Sequence, residues 1–249
     1  MQFKQLAAIF EILAFLGTLG ALAAAGVALA GIYAVGEERL ARSVPIISGW
    51  LFGGRGLARK AFAAAAILIA GYAMVLFGAS VLSNELTLAP GEEKYFCEID
   101  CHLAYSVADT ATAKTVGSGA GQVTAQGMFY IVNVRTRFDE NTISPHRGNA
   151  PLDPSPRLVT LVDEEGQRYV VSADAEAALT AAHGAGTPLT QPLRPGESYT
   201  TRLVFDLPPG TRNPRLLIES PVEPDWLGRV LIGDEGSLFH KKVFLRLPA

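Results

Sequence analysis

The sequence is poor in charge and in the residue types that most enzymes use at their centres. Only 18% of its 249 residues are charged, and it has two cysteines, four histidines, three methionines and two tryptophans. It contains no nucleophile elbow, phosphate loop, zinc-protease helix or dinucleotide fingerprint. The glycine-rich GSGAG at 117–121 lacks the lysine and the strand-to-helix setting of a phosphate loop, so it reads as a flexible connector. Asn141 is followed by Thr142 and Ile143 and fails the glycosylation pattern at its third position. These absences argue against an enzyme. The acidic balance, a net charge of −3, gives no reason to expect nucleic acid as a partner.

What the chain has instead is apolar length, with 49% hydrophobic residues. Residues 12–35, ILAFLGTLGALAAAGVALAGIYAV, and 61–82, AFAAAAILIAGYAMVLFGASVL, carry no charge. At 1.5 Å per residue each is long enough for a hydrocarbon core of about 30 Å. Both therefore read as transmembrane helices, with the lipid bilayer as a partner. The first is roughly twice the length of a signal-peptide core and lacks an early cleavage site, which favours a retained helix. The spacings Gly17, Gly20, Ala24 and Gly26, Gly31 offer small-residue faces to other membrane helices.

The connecting loop, 36–60, holds Arg39, Arg42, Arg55, Arg59 and Lys60 against Glu37 and Glu38, which keeps it cytoplasmic. Everything after Leu82 is then delivered to the periplasmic or extracellular side of an inner (cytoplasmic) membrane. That part carries 15 basic and 21 acidic residues. The expected domains are a membrane anchor, 1–83, and an exterior domain, 84–249.

In the exterior part, short apolar segments alternate with Gly, Pro, Asn and Asp, the rhythm of an all-β sandwich. Strands are expected near 84–89, 94–107, 128–138, 157–162, 167–171, 198–206, 214–219 and 242–247. DEEG at 163–166 and RPGES at 194–198 read as turns, with Gly166 suited to positive φ. The segment 173–182 reads as one short helix ended by Gly184 and Gly186. Two stretches, 110–127 and 139–156, read as long loops.

The series FYIVNVRTRF, RLVTLVDEEGQRYVVS and PLRPGESYTTRLVFDLPPGTRNPRLLI resembles the bacterial immunoglobulin-like domain of unknown function carried by lipoproteins and membrane-anchored surface proteins. The resemblance covers roughly 84–247 and implies an immunoglobulin-like antiparallel β-sandwich. It says little about chemistry, because such domains are diverse in role.

Both cysteines lie in KYFCEIDCHLAYSV, 94–107. Read as one strand, this stretch puts Tyr95, Cys97, Ile99, Cys101, Leu103, Tyr105 and Val107 on an apolar face. Lys94, Phe96, Glu98, Asp100, His102, Ala104 and Ser106 lie on the other. On a straight strand the cysteine α-carbons would be roughly 13 Å apart, too far for a disulfide, yet an exported protein ordinarily pairs its cysteines. A disulfide, buried thiols and metal ligation all remain open. A haem site is disfavoured, because Cys97 and Cys101 are one residue too far apart for that motif. Copper suits Cys97, Cys101 and His102, and His240 is a fourth candidate ligand if the first and last strands are neighbours. In outline only, a two-helix anchor with an exterior β domain is similar to the electron-transfer subunit of terminal oxidases.

The expected architecture is thus a membrane-anchored all-β protein of two transmembrane α-helices and an immunoglobulin-like sandwich. Its expected role is that of a non-enzymatic accessory or binding subunit, without a cofactor, whose exterior domain contacts partner proteins and other membrane-protein subunits. The rival expectation is a copper-binding or thiol-redox exterior domain.

Overall fold

The computed structural model describes residues 56–96, 102–143, 146–220, 229, 230, 232 and 234–248, with side chains of the first helix placed from Ile67 onward. The chain divides into two compact units. One comprises Met1–Ser83 with Trp226–His240, the other Asn84–Asp225 with Lys241–Ala249.

In the first unit, α1 spans Gly56–Leu82. Its Ala-, Leu- and Ile-rich sequence has no proline and high helix propensity. Tyr72, Leu76 and Ser80 recur at four-residue intervals and so share one face. Leu76 and Ser80 are buried. The Tyr72 hydroxyl donates to the Val230 carbonyl, the Ser80 and Ser237 hydroxyls lie 3.0 Å apart, and the Phe77 ring meets Phe239 at 5.9 Å. A folded-back segment of the chain therefore takes this face.

The expectation of two transmembrane helices is corrected here. The first, 12–35, lies outside the described residues. The second is helical, but among the described residues no helix is long and apolar enough to cross a membrane. One face of α1 is given to hydroxyls bonded to protein, those of Tyr72 and Ser80. An inner-membrane anchor consequently has no described helix to carry it.

The second unit is a two-sheet sandwich. β1 (Leu86–Leu88), β9 (Val243–Arg246), β8 (Arg215–Glu219), β5 (Leu158–Val162) and β6 (Arg168–Val170) form one sheet in that order. The other sheet runs β2 (Lys94–Phe96), β3 (Leu103–Val116), β4 (Val123–Phe138), β7 (Ser198–Leu207). β1 and β9 are parallel, and the remaining pairs are antiparallel. Alternate residues of the two inner faces meet in one core that includes Tyr105, Val132, Val134, Phe138, Leu161, Phe205, Leu216, Ile218 and Leu245.

The outer face of the second sheet is covered by α2 (Ala173–His183). The Ser172 hydroxyl caps its N-terminus and Gly184 ends it at φ +83°. Ala175, Ala178 and Leu179 pack there on Val116, Ala125, Phe129 and Val204. This packing explains a second difference from the sequence reading. The stretch 110–127 is mostly strand, because Ala- and Thr-rich β3 and the start of β4 pair as far as Val116 opposite Val123, beneath α2. Only a turn around Gly119–Gly121 reverses the chain.

Candidate functional site

The stretch 94–107 is two strands and not one. Lys94 pairs with Tyr105, Tyr95 with Ala104 and Phe96 with Leu103, all antiparallel, so the chain reverses between Phe96 and Leu103. The alternation changes phase with the reversal: Leu103, Tyr105 and Val107 point into the core as expected, but Tyr95 is exposed while Phe96 packs inward. The 13 Å separation that a straight strand would impose on the cysteines therefore no longer applies. Cys97 and Cys101, with Glu98 and Asp100, lie outside the described residues.

His102 is buried at the start of β3. Its Nδ1 lies 2.8 Å from the Thr142 hydroxyl, and its ring stacks on Phe138 at 5.5 Å. The histidine thus joins β3 to the turn after β4. His240 belongs to the other unit. Among the described residues no three His, Cys, Asp or Glu side chains group as a metal site.

Close to His102 is a charged cluster that the sequence reading missed. Arg137 makes a two-pronged contact with Glu93, Nε to Oε1 and Nη2 to Oε2, both at 2.7 Å, and approaches Asp139 at 3.2 Å. The Tyr95 hydroxyl lies 2.8 Å from Asp139 and 3.0 Å from Glu93. Burial pushes the Asp139 carboxyl up, but hydrogen bonds from Tyr95, Arg137 and Asn141 outweigh it and bring the pKa down to about 2. The Arg137 guanidinium holds Glu93 below the usual carboxylate range. Burial, then the bonds to the two carboxylates, pushes the Tyr95 phenol above its ordinary value. Each strong group here already has a partner and keeps one protonation state near neutrality. The cluster is a clamp that ties β2 to the end of β4.

Two other surfaces remain open. On α1, Ile67, Met74 and Val81 are 72%, 75% and 64% exposed, and Leu68, Val75 and Leu82 form an exposed row beside them. Gly71 and Gly78 sit between them on the first row, and a side chain added at either would meet nothing within 4 Å. The spacing 67, 71, 74, 78, 81 alternates four and three, the repeat of a helix-packing seam.

The second is a cleft of about 280 Å³ at the outer edge of β7. Glu176 and Thr180 of α2, the segment 185–189, and Thr201, Arg202 and Leu203 of β7 line it. Burial raises the Glu176 carboxyl, which Arg202 and the Val204 N–H partly offset. Only the topology shows β7 to be an edge strand, so no local pattern in the sequence marks this cleft.

The described chain is thus a two-sheet β-sandwich joined to a unit built around one helix with an open apolar face. No family model matches the chain, and no curated protein matches it. Among solved structures it is similar to a conserved hypothetical protein from Bacillus anthracis, with 18% identity and a TM-score of 0.36 over 51% of this chain and 90% of that one. It is also similar to a secreted protein from Mycobacterium tuberculosis, with 16% identity and a TM-score of 0.37 over 55% of this chain and 98% of that one.

Proposed function

We propose that the protein is a non-enzymatic accessory or binding subunit, and that α1 docks an apolar helix of a partner protein. The observation that carries this reading is the exposed row Ile67, Gly71, Met74, Gly78, Val81. Exposed apolar patches of this kind mark interaction surfaces in folded chains. The two glycines lower the surface between the larger residues and let a second backbone approach closely. The sandwich then serves as the rigid part of the subunit. The crossing of successive strands between its two sheets, and the parallel pairing of β1 with β9, support an immunoglobulin-like assignment for it.

Site-specific photo-crosslinking in the source cells tests the reading. A crosslinker at Met74 or Val81 should give one discrete adduct, and one at exposed Gln167 on the sandwich should not. Equal labelling from all three positions, or none from the helix, overturns it.

A further inference from the structure

β7 is the outermost strand of its sheet. An edge strand presents alternate N–H and C=O groups outward, and on β7 their direction can be read from its neighbours. The Ser172 N–H donates to the Val204 carbonyl at 2.7 Å, and the Glu176 carboxylate accepts from the Val204 N–H. The backbone of Val204 therefore faces away from β4. By the two-residue repeat of a strand, so do those of Arg202 and Thr200. Among the described residues no main-chain group bonds Arg202 or Thr200 from that side.

The open stretch has two defined ends. At one, Glu176 and Ser172 occupy Val204. At the other, the Tyr199 hydroxyl donates to the Leu189 carbonyl at 2.6 Å and ties the segment 185–189 to the strand. The cleft lies between these ends. Thr201, which lines it, is 4% exposed, and its hydroxyl has no hydrogen-bond partner among the described residues. A buried hydroxyl left unbonded is unfavourable, and a bound polar group would satisfy it.

We propose that this cleft binds an extended stretch of a partner polypeptide, which adds to β7 as a further strand along Thr200–Arg202 with its main chain bonded to theirs. A row of alternating donors and acceptors at strand spacing is complementary to another extended backbone. The short open edge limits the paired stretch to two or three residues, with Thr180, Gly186 and Thr187 lining the cleft beside it. This site is separate from the apolar face of α1, so either can fail alone.

The test is a nuclear magnetic resonance titration of the full chain, ¹⁵N-labelled at threonine and arginine, with an acetylated and amidated Thr-Val-Thr-Val peptide. In the free protein the Thr200 and Arg202 amides should exchange with solvent much faster than that of Thr201. At about 10 mM peptide both should shift and gain protection, as expected for a weak single-site contact. Two N-methylated versions, blocked at odd or at even residues, should differ, with only one still binding. Arg202→Pro should abolish the response while the core resonances persist, because the N–H it removes faces away from β4. Thr201→Val should weaken binding by about threefold to tenfold. Slow exchange of both amides in the free chain, no shift with peptide, or equal shifts from both methylated versions would each overturn the proposal.

Discussion

Phe96 and Leu103 are Cα partners across an antiparallel pair, and this one relationship resets the reading of the cysteine segment. Because β2 and β3 run antiparallel, the single straight strand read through 94–107 does not hold, and the distance it imposed between Cys97 and Cys101 is no longer a bar to a disulfide.

We predict that the two cysteines are joined. Protein made in an oxidising compartment and unfolded without reductant should have no free thiols, and two after reduction. Two thiols appearing on unfolding alone would mean that the connection keeps the sulfurs apart.

The clamp around Arg137 should be visible in the pH dependence of stability. Asp139 and Glu93 both have folded pKa values below their ordinary ones, so their contribution is fully present above about pH 5. It should be lost as pH falls toward about 2, where Asp139 protonates in the folded state. Arg137→Ala should cost on the order of 2–3 kcal/mol at neutral pH, because Asp139, 1% exposed, keeps its charge and loses its cation. In that variant the acid-side loss should shrink. Denaturant melts at pH 7 and pH 3 measure both effects, and an unchanged pH slope in Arg137→Ala would refute the assignment.

Gly127 is fixed by space and not by φ. A Cβ there would sit 2.3 Å from the Leu207 carbonyl oxygen and 2.5 Å from the Pro208 carbonyl carbon, both main-chain atoms that cannot swing away. Gly127→Ala should destabilise the sandwich by about 1–3 kcal/mol, lowering Tm by roughly 2–4 °C for each. Gly166→Ala, in a hairpin turn with open space, should act only through its φ of +83° and so cost about 1 kcal/mol. Calorimetry of the two variants should show the larger loss for Gly127→Ala.

Much of the sandwich is legible in the sequence wherever one face of a strand is buried. In SYTTRLVFDL, Leu203, Phe205 and Leu207 alternate into the core, and the DEEG turn joins Val162 to its partner Arg168 through Gly166 at positive φ. The same rule fails at 94–107, because the alternation in the sequence runs on without a break and carries no mark of the reversal that pairs Phe96 with Leu103. It fails again at 110–127, where Ala and Thr of β3 are held as strand by pairing with β4 and by α2 above, neither of which is local. The β7 cleft depends on which strand ends the sheet, and the Arg137 clamp on Glu93 and Asp139 being brought together from 44 and two residues away along the chain. The hydropathy of 61–82 announces an apolar helix but does not distinguish a face for lipid from one for protein.

The central claim, that the open face of α1 is a docking surface, is tested most directly by the mass of the particle containing this chain. Light scattering with size-exclusion chromatography, on material isolated from source cells in mild detergent, should give a protein mass well above the 26.4 kDa of one chain. A Met74→Lys, Val81→Lys double variant, whose changes lie on the exposed row, should run as the single chain with its thermal melt unchanged. A single-chain mass for the unaltered protein under every condition would contradict the account.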